Sequence, residues 1–213
     1  MILEAAGVKV TARALERAYD TSGKFLGRVW RDNRDVPVTE HVEAILAAVD
    51  RSLLGRLAPD VRAALVEAYG RPALLAPPRA DEGALEALQV LASQGYALAV
   101  ISNTMRTPGR VLRQLLQHHR LLDCFTHLTF SDEVGVRKPD PIIFALTLSA
   151  VGATPATALH VGDDPMLDVH GAQMAGMRVI QVTHVPSPTV VPRPDARIKT
   201  LRDLPAAVAQ LAT

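Results

Sequence analysis

The sequence predicts an α/β fold in which a parallel sheet carries helices on both faces, preceded by an all-helical stretch. Three observations carry this expectation. From residue 84 onward, helically spaced apolar residues alternate with short apolar runs of strand length, the order that builds a parallel sheet. Before about Ala76 only helical spacing occurs. Two of the strands run directly into polar residues, Val100-Ile101-Ser102-Asn103-Thr104 and His160-Val161-Gly162-Asp163-Asp164. The carboxyl end of such strands is where open α/β sheets place their chemistry.

The elements follow in order. Thr11 to Trp30 has Ala14, Leu15, Ala18, Tyr19, Phe25, Leu26 and Val29 near helical spacing, with Thr11 as N-cap. Tyr19 and Trp30 are expected to serve the helical core or line it toward a substrate. Val42, Ile45, Leu46, Val49, Leu53 and Leu54 form a second stripe, with Thr39 as its expected N-cap, and Pro59 to Tyr69 a third. Pro72, Pro77 and Pro78 then break the pattern and mark a boundary. The expected division is a helical module over 1–78 and an α/β unit over 79–213.

In the second unit, Ala84, Leu85, Leu88, Leu91 and Ala92 predict a helix that stops at Gly95. Tyr96 to Ile101 is a strand, Val111 to Leu116 a helix, and Leu128 to Phe130 a strand. Asp140 and Pro141 suit the N-cap and first turn of a helix reaching Ala150 and closed by Gly152. Ala158 to Val161 is a strand, Asp168 to Ala175 a helix, and Arg178 to Thr183 a strand. Pro186, Pro188, Pro192 and Pro194 make one stiff loop. An edge strand around Ile198 and a last helix from Leu204 to Leu211 complete the pattern.

Composition excludes several classes. With 48% hydrophobic residues, a packed core is expected rather than disorder. Lys and Arg total 23 against 22 Asp and Glu, a net charge of +1 that offers no footprint for nucleic acid or an anionic membrane. No apolar run approaches the ~20 residues of a membrane span, and Met1-Ile2-Leu3-Glu4 does not begin a signal peptide. The one cysteine, Cys124, sits among apolar neighbours and reads as a small buried hydrophobe. A cytoplasmic protein is expected. The seven histidines show no zinc spacing and are assigned to structure or surface.

Three motifs carry chemistry. Mg²⁺ takes oxygen ligands, usually one or two carboxylates with water and phosphate. Asp163 at a strand end can reach such an ion, Asp168 could ligate directly or from behind, and Asp164 is a weaker candidate. The competing reading is that Asp163 or Asp164 caps the next helix. Ser102 and Asn103 can hold phosphate oxygens without adding charge, or can simply mark a turn. Lys138 is one of only four lysines, with Lys9, Lys24 and Lys199, among nineteen arginines. Its compact ammonium can neutralise phosphate and carboxylate together; otherwise it is a solvated loop charge.

The order Ser102, then Arg137-Lys138-Pro139-Asp140-Pro141-x-x-Phe144, then Gly162-Asp163-Asp164-x3-Asp168 with Gly171-Ala172 and Gly176-Met177 resembles motifs two, three and four of the haloacid dehalogenase superfamily. The resemblance covers nearly the whole chain. It implies a Rossmann-like core over 79–213 with a helical cap over 1–78, and a Mg²⁺-dependent phosphatase acting on a small phosphate ester through an aspartyl intermediate. By that resemblance Ser102 and Lys138 are catalytic, Ser102, Asn103 and Lys138 bind phosphate, and Asp163, Asp168 and Asp164 face the metal.

The family's first motif, Asp-x-Asp after the first strand, supplies the nucleophile and is found nowhere in the 213 residues. Asp20 lies in a helical pattern, and Asp32 and Asp35 in an arginine-rich stretch. A strand, its loop and the start of a helix would add roughly 20–30 residues. A truncation or misplaced start is therefore expected in preference to evolved loss, with a chain inactive as it stands and a gap where the central strand belongs. Two alternatives accompany the phosphatase: a non-catalytic member that binds a phosphorylated ligand or protein partner, and a haloacid dehalogenase. Substrate identity and oligomeric state are left open.

Overall fold

The computed structural model describes residues 2–183 and 192–211. Its first part is helical throughout: α1 (Ile2–Ala5), α2 (Ala12–Arg31), α3 (Val38–Val49), α4 (Leu53–Arg56), α5 (Pro59–Gly70) and α6 (Pro72–Leu75). Thr11 caps α2 as expected, accepting from the Ala14 amide at 3.2 Å. The second stripe divides. Asp50 accepts from the Ser52 amide in a turn that ends α3 before Leu53 and Leu54 start α4. The expected Thr39 cap is also corrected, because Pro37 is the N-cap and Thr39 lies inside α3. Proline already holds the φ that a helix start needs. Val42, Leu46, Leu53 and Leu57 bury a core of their own, joined by Leu3, Val61, Leu65 and Tyr69.

The second part alternates as predicted: α7 (Ala84–Ser93), β1 (Ala99–Ser102), α8 (Gly109–His118), β2 (His127–Phe130), α9 (Ser131–Val134), α10 (Pro141–Ala150), β3 (Leu159–Gly162), α11 (Gly171–Met174), β4 (Arg178–Val182), β5 (Ala196–Ile198) and α12 (Leu204–Leu211). The first strand starts at Ala99, later than Tyr96. Asp140 caps α10 through the Ile142 amide, with Pro141 in the first turn. The helix expected from Asp168 begins earlier, as a π-helical turn over Pro165–His170 that leads into α11. Pro186 and Pro188 of the expected stiff loop lie outside the described residues. Cys124 is half-buried rather than enclosed. No described helix is long and apolar enough to cross a membrane.

All strand pairs are parallel, but they form two sheets where one was predicted. One holds β1 and β2, with Val100 opposite Leu128; the other runs β3-β4-β5, with Val161 opposite Ile180 and Gln181 opposite Arg197. One edge each of β1 and β3 has no strand partner among the described residues. Every residue of β1 is only half-buried, whereas Val179, Ile180 and Gln181 at the centre of β4 are buried.

Apolar packing does what ladder bonds do not. Ile143, Phe144 and Leu148 of α10 bury against Val169, Ala172, Met177 and Val179, and Ile101 of β1 packs on the same cluster. One helix therefore underlies both sheets. On the opposite face, Ala87 and Leu91 of α7 join Ile180, Ile198, Leu204, Ala207 and Val208. Adjacent β4 residues Val179 and Ile180 thus serve opposite cores, as strand alternation requires. Because Phe144 is fully buried where the sheets meet, Phe144→Ala is expected to lower unfolding free energy by about 3–5 kcal/mol, measured by urea denaturation. A loss below about 1 kcal/mol would show that α10 does not hold the two sheets together.

Candidate active site

The carboxyl ends of β1 and β3 meet through side chains. The Asn103 amide pairs with the backbone of Lys138 in both directions: Nδ2 donates to the carbonyl at 2.9 Å, and Oδ1 accepts from the amide at 2.8 Å. Lys138 Nζ then donates to Asp168 Oδ1 at 2.5 Å, with only 11% of the lysine side chain exposed. The sequence-predicted residues Asn103, Lys138 and Asp168 are thus one connected unit.

Asp168 is the hub of that unit. Oδ1 also meets His160 Nε2 at 2.9 Å, and Oδ2 accepts from the Asp163 and Asp164 amides at 3.2 and 3.0 Å. Gly162 makes the approach possible, since a Cβ there would overlap the Asp168 carboxylate. Burial alone would raise the Asp168 pKa. The His160 bond and the Lys138 charge outweigh it and hold the carboxyl well below its ordinary range. Burial also pushes His160 down, against the pull of its Asp168 bond, so the imidazole stays neutral near pH 7.

The three acids are not equivalent. Asp164 accepts from the Met166 and Leu167 amides, each at 2.8 Å, and caps the π-helical turn. Asp168 has both oxygens committed to donors and holds Lys138 Nζ. Asp163 is exposed, its carboxylate bonded to none of the described residues, while its carbonyl accepts from Gln181 Nε2 at 3.1 Å. Among the described residues, no three His, Cys, Asp or Glu side chains are grouped to hold a metal ion. Mg²⁺ usually takes one or two carboxylates with water and phosphate, and Asp163 is the one of the three acids here whose carboxylate has no donor among the described residues. Ser102 ends β1 beside Asn103, half-buried and next to an apolar recess of about 240 Å³ lined by Val100, Leu112, Leu115, Phe130 and Pro78.

A second network ties the helical part to the same loops. The connector between α2 and α3 forms an antiparallel bridge, Arg34 to Val136, flanked by bonds from the Asp35 amide to the Gly135 carbonyl and from the Arg137 amide to the Asn33 carbonyl. The fully buried Asp35 carboxylate accepts from Ser131 Oγ at 2.5 Å, Trp30 Nε1 at 3.0 Å and the Val36 amide at 2.9 Å. Ser131 Oγ accepts in turn from the Thr104 amide at 2.8 Å, next to Asn103. Arg137 stacks on the Trp30 ring at 4.5 Å and stands 3.9 Å from Asp35. His41 is buried beside them, edge-on to Trp30 and Tyr69, with neither ring nitrogen hydrogen-bonded. Burial lowers its pKa, against the Asp35 charge.

Sequence reasoning passed over Asp35, Ser131 and Thr104. A Ser-Asp pair following β2 at its carboxyl end was the one available signal; Asp35 itself sits in a stretch that reads as surface.

The fold and the site define an α/β protein with a lysine–carboxylate pair at its strand ends, supported by a neighbouring amide. A sequence profile of the haloacid dehalogenase-like hydrolases matches residues 7–176. The chain belongs to that family. It is 32% identical over 207 residues to the phosphoserine phosphatase of Thermus thermophilus, covering 95% of this chain and 72% of that protein. Over 100 residues it is 35% identical to the glyceraldehyde 3-phosphate phosphatase of Pyrococcus furiosus, 46% of this chain and 40% of the relative. In structure it is similar to a 2-haloacid dehalogenase from Pseudomonas syringae, with a TM-score of 0.71, 22% identity, and coverage of 95% of this chain and 83% of that one.

Removing the Asp35 carboxylate would strand the Arg137 guanidinium and the Ser131 and Trp30 donors in a buried place. Asp35→Ala is expected to cost about 3–5 kcal/mol in chemical denaturation, and Asp35→Asn clearly less, because an acceptor remains. Equal losses for the two would show that a neutral acceptor does not substitute and that the whole effect rests on the charge.

Stability should also depend on pH. His41 and His160 have lowered pKa values in the fold, so the unfolded chain binds more protons than the native one. Stability is then full above about pH 6.5 and falls as pH drops through that value. The depressed Asp168 acts in a lower window: its contribution is present above about pH 3.9 and is lost as pH falls toward its folded pKa. His41→Phe should flatten the slope of melting temperature between about pH 7 and 5; an unchanged slope would remove His41 from the account.

Proposed function

We propose that this chain carries the phosphate-holding part of a phosphohydrolase that acts on a small phosphorylated metabolite. The observation that supports this best is the unit in which Asn103 grips the Lys138 backbone and Asp168 fixes its ammonium. A single cation held at the ends of parallel strands suits one phosphoryl group. The names of two relatives, phosphoserine phosphatase and glyceraldehyde 3-phosphate phosphatase, favour the same chemistry.

Each residue has a part in this reading. Lys138 Nζ neutralises the phosphoryl oxygens, and the Ser102 hydroxyl with the amides that follow it donates to them. Asp168 and His160 keep Nζ aimed. Asp164 holds the loop that carries Asp163, the one strand-end carboxylate left to meet Mg²⁺. Residues 1–78 act as a cap that closes on the cleft and 79–213 as the core.

An aspartyl-phosphate route also needs a carboxylate in line with phosphorus. Asp35 is spent on Ser131 and Trp30, and Asp168 on four donors. The nucleophile is therefore assigned to none of the 213 residues, and a strand ending in Asp-x-Asp between β1 and β3 would supply it. The unspent backbone edges of those strands favour that position. A second reading, a binding protein without turnover, draws on the same lack of a free nucleophile.

The test uses p-nitrophenyl phosphate with Mg²⁺. The 213-residue chain is expected to stay at background. A version extended by a strand ending in Asp-x-Asp is expected to turn over, and Lys138→Ala in that version to lose about 10²–10³-fold in kcat. Robust turnover by the 213 residues alone would mean that the nucleophile has been misplaced. A folded, extended protein inactive on a broad panel of phosphate esters would favour the binding protein.

A further inference from the structure

Two arginines of the α/β unit stack on aromatic rings of α2, and their surroundings differ. Arg137 lies over Trp30 at 4.5 Å, is 7% exposed and faces Asp35; its charge is met inside the protein. Arg106 lies over Tyr19 at 4.2 Å, is exposed, and has no acidic partner among the described residues. Tyr19 and Trp30 are about three turns apart on α2, so the two stacks mark one helix face that lies against the loops following β1 and β2.

We propose that Arg106 forms a subsite for a second anionic group of the substrate, so that the preferred ligand is a short phosphomonoester bearing a carboxylate. The inference rests on the phosphohydrolase reading and adds the substrate class. Arg106 follows Asn103 by three residues, at most about 10 Å of chain, and Asn103 is bonded to Lys138. The loop that grips the Lys138 backbone therefore also carries a second cation. Stacking restricts the guanidinium plane and leaves its edge, with the N–H groups, open to a carboxylate. The Tyr19 hydroxyl beneath it is buried without a hydrogen-bond partner, a polar atom that an added ligand oxygen could satisfy. Lys138 is already paired with Asp168, and the proposed phosphoryl group would take the rest of its charge, so a carboxylate on the same molecule needs another cation.

The experiment compares phosphoglycolate with ethyl phosphate, which is nearly the same size and lacks the carboxylate. Binding of each to the 213-residue chain is measured by calorimetric titration, so that turnover is not needed. The wild type is expected to bind phosphoglycolate about tenfold more tightly. Arg106→Gln, at an exposed position, is expected to bring the two ligands within about twofold of each other, whereas Lys138→Ala weakens both and keeps their ratio. Equal wild-type affinities would overturn the subsite while leaving the phosphate reading standing. A ratio unchanged by Arg106→Gln would overturn it too, as would a loss shared equally by both ligands, which would put Arg106 on the phosphate itself. Failure of both ligands to bind at millimolar concentration would overturn the phosphate reading, and the subsite with it.

Discussion

The Asp168 carboxylate is the interaction on which the site depends. It gathers Lys138 from the loop before α10, His160 from β3, and the amides of Asp163 and Asp164 from the loop after β3. A buried charge is costly unless every lone pair finds a donor, and here four donors from three segments share it. Two sheets with no ladder bonds between them are joined here by a relay of side chains, Asn103 to the Lys138 backbone and Lys138 to Asp168. The apolar contacts of α10 supply adhesion between the sheets, and Asp168 supplies alignment.

That arrangement separates two roles that three neighbouring acids could have shared. Asp164 organises the backbone, Asp168 organises Lys138, and Asp163 is left facing outward. The same division explains why Gly162 must be small: the Asp168 carboxylate lies where a Cβ would be.

Local features of the fold were legible in the sequence, and features made by distant partners were not. Thr11 and Asp140 declared their caps because an N-cap bond spans only two or three residues. The end of α3 at Asp50 was hidden, since apolar spacing continues through Leu53 and Leu54 while a side-chain bond to Ser52 turns the chain. Ser102 and Asp163 stood out by their place at strand ends, and Lys138 by its place before a helix in a chain with few lysines. The part played by Asp168 could not, because spacing shows that an acid is present and not which donors surround it. Asp35 was the hardest to see. Its chief partner, Ser131, is 96 residues away, and an aspartate among arginines looks like surface until the fold encloses it.

Asp35 also joins two events that would otherwise be independent. The connector between α2 and α3 is bonded to the strip just before Lys138 and, through Ser131 and Thr104, to the loop of Asn103. A ligand that fixes those loops therefore also strengthens the seating of α2 and α3. By reciprocity, seating the helices more firmly must raise affinity for the ligand by the same factor. Part of the binding energy is then expressed as attachment between the two halves of the chain, and substitutions far from such a ligand can alter affinity without touching it.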